Sequence, residues 1–140
     1  LNTVYAAFCG TGKTSICEQR TDCTELECWN YEASNFPYSY IFDIHDTHDP
    51  CKSLFISTNP AVLSRLYGFA IELIYPDISL KSEYMDRYRD RGSHSDFIAV
   101  MDSYWNDWVA ELAEQDYCTH HVLDTGEYVS KLFSQRNTDD

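Results

Sequence analysis

The sequence predicts a three-layer α/β/α fold with a mostly parallel sheet of five strands. Three observations lead there. Apolar runs of strand length alternate with periodic segments of helix length along the whole chain, an order that implies parallel strands covered by helices on both faces. Glycine, proline or a capping residue punctuates most of these segments. A glycine-rich junction also joins the first strand directly to the first helix. With 140 residues, 44% of them hydrophobic, the chain is long enough for one domain with a real core. We expect a single domain over 1–134 and a polar tail over 135–140.

The elements follow in order. Thr3 to Phe8 is a short apolar run that reads as a buried strand, broken by Gly10 and Gly12 and followed by a helix from Lys13 to Gln19. Cys23 to Trp29 reads as a second strand, Asn30 to Pro37 as a loop, and Tyr38 to Asp46 as a short helix. The run SLFIS, Ser53 to Ser57, is the clearest buried strand. Asn59-Pro60 then opens a helix, since proline suits the first helical position. FAIELIY, Phe69 to Tyr75, is a strand stopped by Pro76, and Ser79 opens a helix that runs to Arg91 and ends at Gly92. Ser93 with Asp96 has capping-box spacing for a helix to about Gln115. Phe97, Met101, Tyr104, Trp105, Trp108 and Leu112 share one face of it, which is expected to be core. His120 to Leu123 closes the sheet and Gly126 to Phe133 forms the last helix.

Charge narrows the function classes. Ten Lys and Arg against 23 Asp and Glu leave a net −13, a field that repels polyanions, so an extended nucleic-acid surface is not expected. A small anion in a local basic pocket remains compatible, and three of the six arginines, Arg87, Arg89 and Arg91, fall within five residues. No apolar run reaches the ~20 residues of a membrane span, and no basic stretch leads into an apolar one as in a signal peptide. The six cysteines show no C-x-x-C spacing. Reduced thiols in a cytoplasmic protein are the expectation.

The strongest motif is CGTGKTS, Cys9 to Ser15, set between a strand and a helix as a phosphate-binding loop requires. Backbone N–H groups around Cys9, Gly10, Thr11, Gly12 and Lys13 would wrap the phosphates of ATP, aided by the helix N-terminus. The Lys13 ammonium would reach the β and γ oxygens, and the Thr14 hydroxyl, next to Ser15, would ligate Mg²⁺. The first glycine of G-x-x-x-x-G-K-[ST] is replaced by Ala7, which is tolerable if the backbone there stays out of the left-handed region. Arg87 and Arg91 are four apart on one helix and so share a face, while Arg89 points some 160° away. Like charges at that spacing cost a few tenths of a kcal/mol, which makes sense if a phosphate lies between them. Glu27, Ser57 and Thr58 fall at strand ends, the edge where open α/β sheets bind ligands. No apolar strand ends in the Asp of a Walker B motif. His45 and His48 in HDTHD read as polar surface rather than metal ligands. His120 and His121 point to opposite faces of a strand.

The loop followed by the arginine-rich helix resembles P-loop nucleotide kinases of the nucleoside-monophosphate-kinase group. More closely, it is similar to small P-loop kinases of phages and bacteria. The segments that carry the resemblance are FPYSYI (Phe36 to Ile41), Ile56 to Thr58, YPDISLKSEYMDRYRDRG (Tyr75 to Gly92), Trp105 to Trp108 and Val122 to Ser130, in that order. The resemblance implies that Lys13 and Thr14 carry the donor phosphates and Mg²⁺, and that Arg87 and Arg91 act as lid arginines on the phosphoryl group. It also implies that Glu27 and Tyr40 lie where the acceptor, a small nucleotide, is held. The chain departs from the pattern at Ala7, at Cys9 in place of the usual proline, and in a short segment between strands two and three. Two other functions fit the same residues: a nucleotide-binding regulator without turnover, and a phage-type kinase acting on a modified base in DNA.

Overall fold

A computed structural model of the chain describes residues 2–28 and 31–137. Among these, five strands form one sheet in the order β2-β3-β1-β4-β5, every neighbouring pair parallel. The strands are β1 (Asn2–Ala7), β2 (Cys23–Leu26), β3 (Ser53–Ile56), β4 (Phe69–Pro76) and β5 (Thr119–Leu123). Helices α1 (Lys13–Gln19), α2 (Tyr38–Thr47), α3 (Pro60–Leu63), α4 (Lys81–Asp90), α5 (Ser95–Ala113) and α6 (Ser130–Asn137) connect or follow them.

Because successive side chains in a strand point to opposite faces, the central strands feed two cores. Val4, Ala6, Leu54, Ile56, Ile71, Leu73 and Tyr75 face one layer, where Tyr40, Ile44, Val62, Tyr84, Tyr88, Met101 and Trp105 cover them from α2 to α5. Ala7, Phe55, Ile74 and Leu123 face the other, against Ile16 of α1 and Val129 and Phe133 at α6. Strand β1 sits in the middle, with Tyr5 opposite Phe55 and Ala6 opposite Leu73. Its carboxyl end therefore opens between the ends of β3 and β4, and the glycine-rich loop leaves from there.

Several boundaries differ from expectation for local reasons. The second strand ends at Leu26 rather than Trp29, and Trp29 itself lies outside the described residues. The helix expected from Ser79 begins with a 3₁₀ turn, Ile78–Leu80, because the Asp77 carboxylate accepts from both the Ser79 N–H (3.0 Å) and its hydroxyl (2.7 Å). Helix α5 is capped by His94, whose Nδ1 accepts from the Asp96 N–H at 3.1 Å. Ser93, the expected cap, instead receives the Arg91 Nε–H at 2.8 Å. Helix α6 starts at Ser130 rather than Gly126 and continues to Asn137, past the expected start of the tail. All six cysteines are free thiols; Cys17 and Cys23 bring their sulfurs to 2.6 Å, and burial pushes both above the ordinary thiol range. Among the described residues no helix is long and apolar enough to cross a membrane.

Candidate active site

The loop between β1 and α1 turns on two glycines in the left-handed region, Gly10 at φ 87° and Gly12 at φ 92°. Among the described residues only glycines adopt positive φ, so Ala7 ends β1 in ordinary extended backbone and its methyl costs nothing in conformation. Gly10 has a second reason. A Cβ there would come within 2.8 Å of the Tyr88 ring and 3.2 Å of the Tyr84 ring. Thr11 is fully buried: its hydroxyl donates to the Phe8 carbonyl at 2.7 Å and its own carbonyl accepts from Val129 at 2.8 Å. Its side chain therefore shapes the loop and touches no ligand space.

Lys13 is 8% exposed, and its Nζ donates to the Ala7 carbonyl at 3.1 Å. It is folded back against the end of β1, at the base of the loop. Next to it, the Thr14 hydroxyl lies 2.8 and 3.0 Å from the two carboxylate oxygens of Glu25. Burial raises the Glu25 carboxyl above its ordinary value; the Thr14 bond acts against this and the nearby Glu27 charge adds to it.

Helix α4 holds the loop by its backbone. The Tyr88 hydroxyl donates to the Cys9 carbonyl at 2.8 Å, and an Arg87 Nη donates to the Gly10 carbonyl at 2.8 Å. The other Arg87 Nη meets the Glu83 carboxylate at 2.6 Å and the Glu127 carbonyl at 3.1 Å. The guanidinium itself lies between two rings, 4.2 Å from the Tyr84 centroid and 3.9 Å from that of Tyr128. Arg91 differs. It follows the last residue of α4, is exposed, and rests over Tyr88 at 5.0 Å and Phe97 at 5.6 Å. Arg89 points away to Asp86, as the helical step requires.

Two cavities open at this sheet edge. One, about 680 Å³, is lined by Gly10, Gly12, Thr14, Ser15, Arg87 and Tyr128, with Glu18 and Asp90 at its border. The other, about 480 Å³, runs from Ser57, Thr58 and Asn59 to Phe97, Met101, Trp108 and Glu111 on α5. Cys9, Lys13, Glu27 and Arg91 line both. The two spaces thus share a wall that carries one ammonium, one guanidinium and one carboxylate. Burial holds the Cys9 thiol above its ordinary range, so it faces these spaces protonated.

The structure brings Lys13, Thr14, Ser15, Arg87 and Arg91 to the first cavity and Glu27, Ser57 and Thr58 to the second. Tyr40 is a correction. It is fully buried; its hydroxyl donates to the Leu26 carbonyl and accepts from the Ser57 N–H at 3.0 Å. It ties the ends of β2 and β3 together and so positions Glu27 and Ser57, without meeting an acceptor itself. The aromatic face of α5 is a partial correction. Trp105 is buried, but Tyr104 and Trp108 are 48% and 38% exposed and stack on each other with rings 5.1 Å apart. One residue is a 100° step on a helix, so Tyr104 lies well round from Trp105, and Trp108, four residues on, shares its flank.

Sequence reasoning passed over Glu25, Tyr88, Tyr128, Phe97 and Glu111. The C-T-E-L-E run at β2 was the available signal for Glu25, two residues before Glu27. The histidines are structural: His45 and His48 pack on the Phe69 ring, His120 bonds the Tyr75 hydroxyl at 2.7 Å, and His121 meets Glu72 at 2.9 Å.

No protein-family model matches the chain, and none of the curated proteins matches it. Among solved structures it is similar to polyphosphate kinase 2 from Arthrobacter aurescens TC1, with a TM-score of 0.53 and 13% sequence identity over 86% of this chain. The match covers 60% of that protein, so the chain spans well under two thirds of its length. At this identity the likeness concerns the fold alone. The chain has a three-layer α/β/α fold built on an all-parallel five-stranded sheet, the fold it shares with that kinase.

Proposed function

We propose that this chain binds ATP–Mg²⁺ in the larger cavity and transfers the γ-phosphoryl group to a nucleotide-like acceptor, a nucleoside monophosphate, in the smaller one. The observation that carries the reading is the shared wall: Lys13 and Arg91 border both cavities at the loop. Phosphoryl transfer needs an in-line donor and acceptor and neutralised charge more than it needs covalent chemistry. Two adjoining spaces with cations on the partition meet that need. Lys13 leaves the Ala7 carbonyl for the donor phosphates, and Arg91, held only by Ser93 and two rings, is free to follow the transferring group. Arg87 reaches the donor side from a fixed position. The acceptor's base finds Phe97, Met101 and Trp108, apolar and aromatic surfaces suited to a ring.

The residues present fit Mg²⁺. Thr14 offers an exposed hydroxyl with carboxylate oxygens beside it, an oxygen-only donor set of the kind a hard cation takes. When bound, the ion neutralises charge on the donor phosphates. A regulator that binds nucleotide without turnover has one observation in its favour: β3, beside the loop strand, is followed by Ser57 and Thr58 and not by an Asp. A cytoplasmic setting fits six unpaired thiols.

A thermal-shift titration tests the binding step. ATP–Mg²⁺ at 100 times its Kd adds about 2.7 kcal/mol of stability, roughly 9 °C for a chain of this length. Lys13→Ala is expected to remove the shift; an equal shift in both proteins rejects the site. Turnover is then measured as ATP consumed against a panel of nucleoside monophosphates, and its absence with every one favours the regulator.

A further inference from the structure

Resting on the ATP–Mg²⁺ reading above, we propose that Glu25 supplies the carboxylate of the metal site, opposite Thr14, in a fold whose third strand offers none. Thr14 is the one hydroxyl that the loop motif hands to the ion, and Glu25 presents both oxygens to it, at 2.8 and 3.0 Å. Glu25 lines neither cavity and meets the donor side through Thr14, whereas the acids that line the donor cavity are placed differently. Glu18 is on α1 beyond Thr14, Asp90 is on α4, and Glu27 stands on the partition with the second cavity. Strand β3 would be the ordinary source of an acid, but it is followed by two hydroxyl residues. Strand β2 lies one place further out, with Glu25 in register with Phe55 of β3, and its longer Glu side chain spans the added distance to α1.

A plainer account exists. Thr14 is in the first turn of α1, where any negative charge is favourable by a few tenths of a kcal/mol or more. That account explains why a carboxylate is near the helix end. It leaves unexplained a second carboxylate, Glu27, just past the end of β2. Lys13, the nearest cation in the loop, is turned to the Ala7 carbonyl instead. A divalent ion beside Thr14 would draw on the same carboxylate oxygens to which the Thr14 hydroxyl donates.

The two accounts separate in the Mg²⁺ dependence of ATP affinity, measured by calorimetry on the full chain with and without the metal. In the wild type Mg²⁺ tightens ATP binding. Glu25→Gln is expected to cut that Mg²⁺-dependent gain by about 10-fold or more, as loss of a metal-site partner does, while metal-free ATP binds as before. Glu114→Gln, an exposed acid that lines neither cavity, is the control and keeps the wild-type ratio. If Glu25→Gln lowers the melting temperature yet keeps that ratio, Glu25 serves only the helix end and the proposal is wrong. Should Glu25→Gln not fold, Glu25→Asp keeps the charge but withdraws it from Thr14, and the same loss of Mg²⁺ dependence is expected. A wild type that binds no ATP at all rejects the function proposed above, a result that cannot be confused with unchanged Mg²⁺ dependence in the variant.

Discussion

Replacing Arg87 with alanine should unfold more of the protein than it disarms, and Arg91→Ala should do the reverse. Arg87 makes three hydrogen bonds, to Gly10, Glu127 and Glu83, and its side chain is 11% exposed. Charge-assisted bonds of this kind contribute about 1.5–3 kcal/mol each, and removing one partner of a largely buried ion pair costs about 3–5 kcal/mol. The terms overlap, because the Gly10 and Glu127 carbonyls and the Glu83 carboxylate relax toward water once the side chain is gone. About 3 kcal/mol is therefore a reasonable lower figure. Unfolding entropy of roughly 2.1 cal/mol/K per residue gives about 0.3 kcal/mol per degree here, so the melting temperature should fall by about 10 °C. Arg91 is exposed and bonds only Ser93, so its loss should stay within ~0.5–1 kcal/mol, the usual size of a surface change. Differential scanning calorimetry of both variants without ligand reads this directly. Equal melting temperatures for the two variants, or an unshifted Arg87→Ala, would show that the α4 contacts do not hold the loop. At a temperature where both are folded, Arg91→Ala should lower kcat with ATP affinity within a few-fold, since a group that acts on the transferring phosphoryl is felt at the transition state.

Two further outcomes are expected. Trp108→Ala should raise KM for the acceptor about 10-fold while leaving the ATP-induced thermal shift unchanged, a loss of roughly 1.4 kcal/mol of ring contact; a changed ATP shift would place Trp108 outside the acceptor cavity. Duplex DNA should bind no more tightly than about 10⁻⁴ M at physiological salt, because ten basic residues face 23 acidic ones. Sub-micromolar binding with a steep salt slope in a gel-shift titration would favour the DNA-directed kinase.

Much of this architecture was legible from period and punctuation. SLFIS and FAIELIY are apolar apart from the two end serines and Glu72, and Asn59-Pro60 announces its helix with a cap and a proline. The observed cap, the Asn59 side chain accepting from Ala61 at 2.9 Å, follows from the residue type alone. The loop was equally plain, since Gly10 and Gly12 stand where positive φ is required. What stayed hidden depends on contacts distant in sequence. Arg87 looked like half of a strained arginine pair because two of its three partners, Gly10 and Glu127, lie 77 and 40 residues away; the third, Glu83, is four residues before it. Tyr40 was expected at the acceptor because the resemblance to monophosphate kinases implied it; its burial on α2 shows that its hydroxyl is spent on Leu26 and Ser57. Trp108 was assigned to the core because an aromatic stripe on a helix is wider than the strip its neighbours cover.

The grip of α4 on the loop also bears on how such a site can be spelled. Tyr88 and Arg87 take hold of the carbonyl oxygens of Cys9 and Gly10, atoms that every residue possesses. A hold of that kind is indifferent to the side chain at position 9, so a cysteine can stand there without loosening the turn. The demand for particular residues moves instead to the helix, where Tyr84, Arg87 and Tyr88 must each keep their shape and reach. In this chain the vocabulary of the glycine-rich loop is written partly in the loop and partly some 75 residues downstream, and a search of the loop alone finds only half of the word.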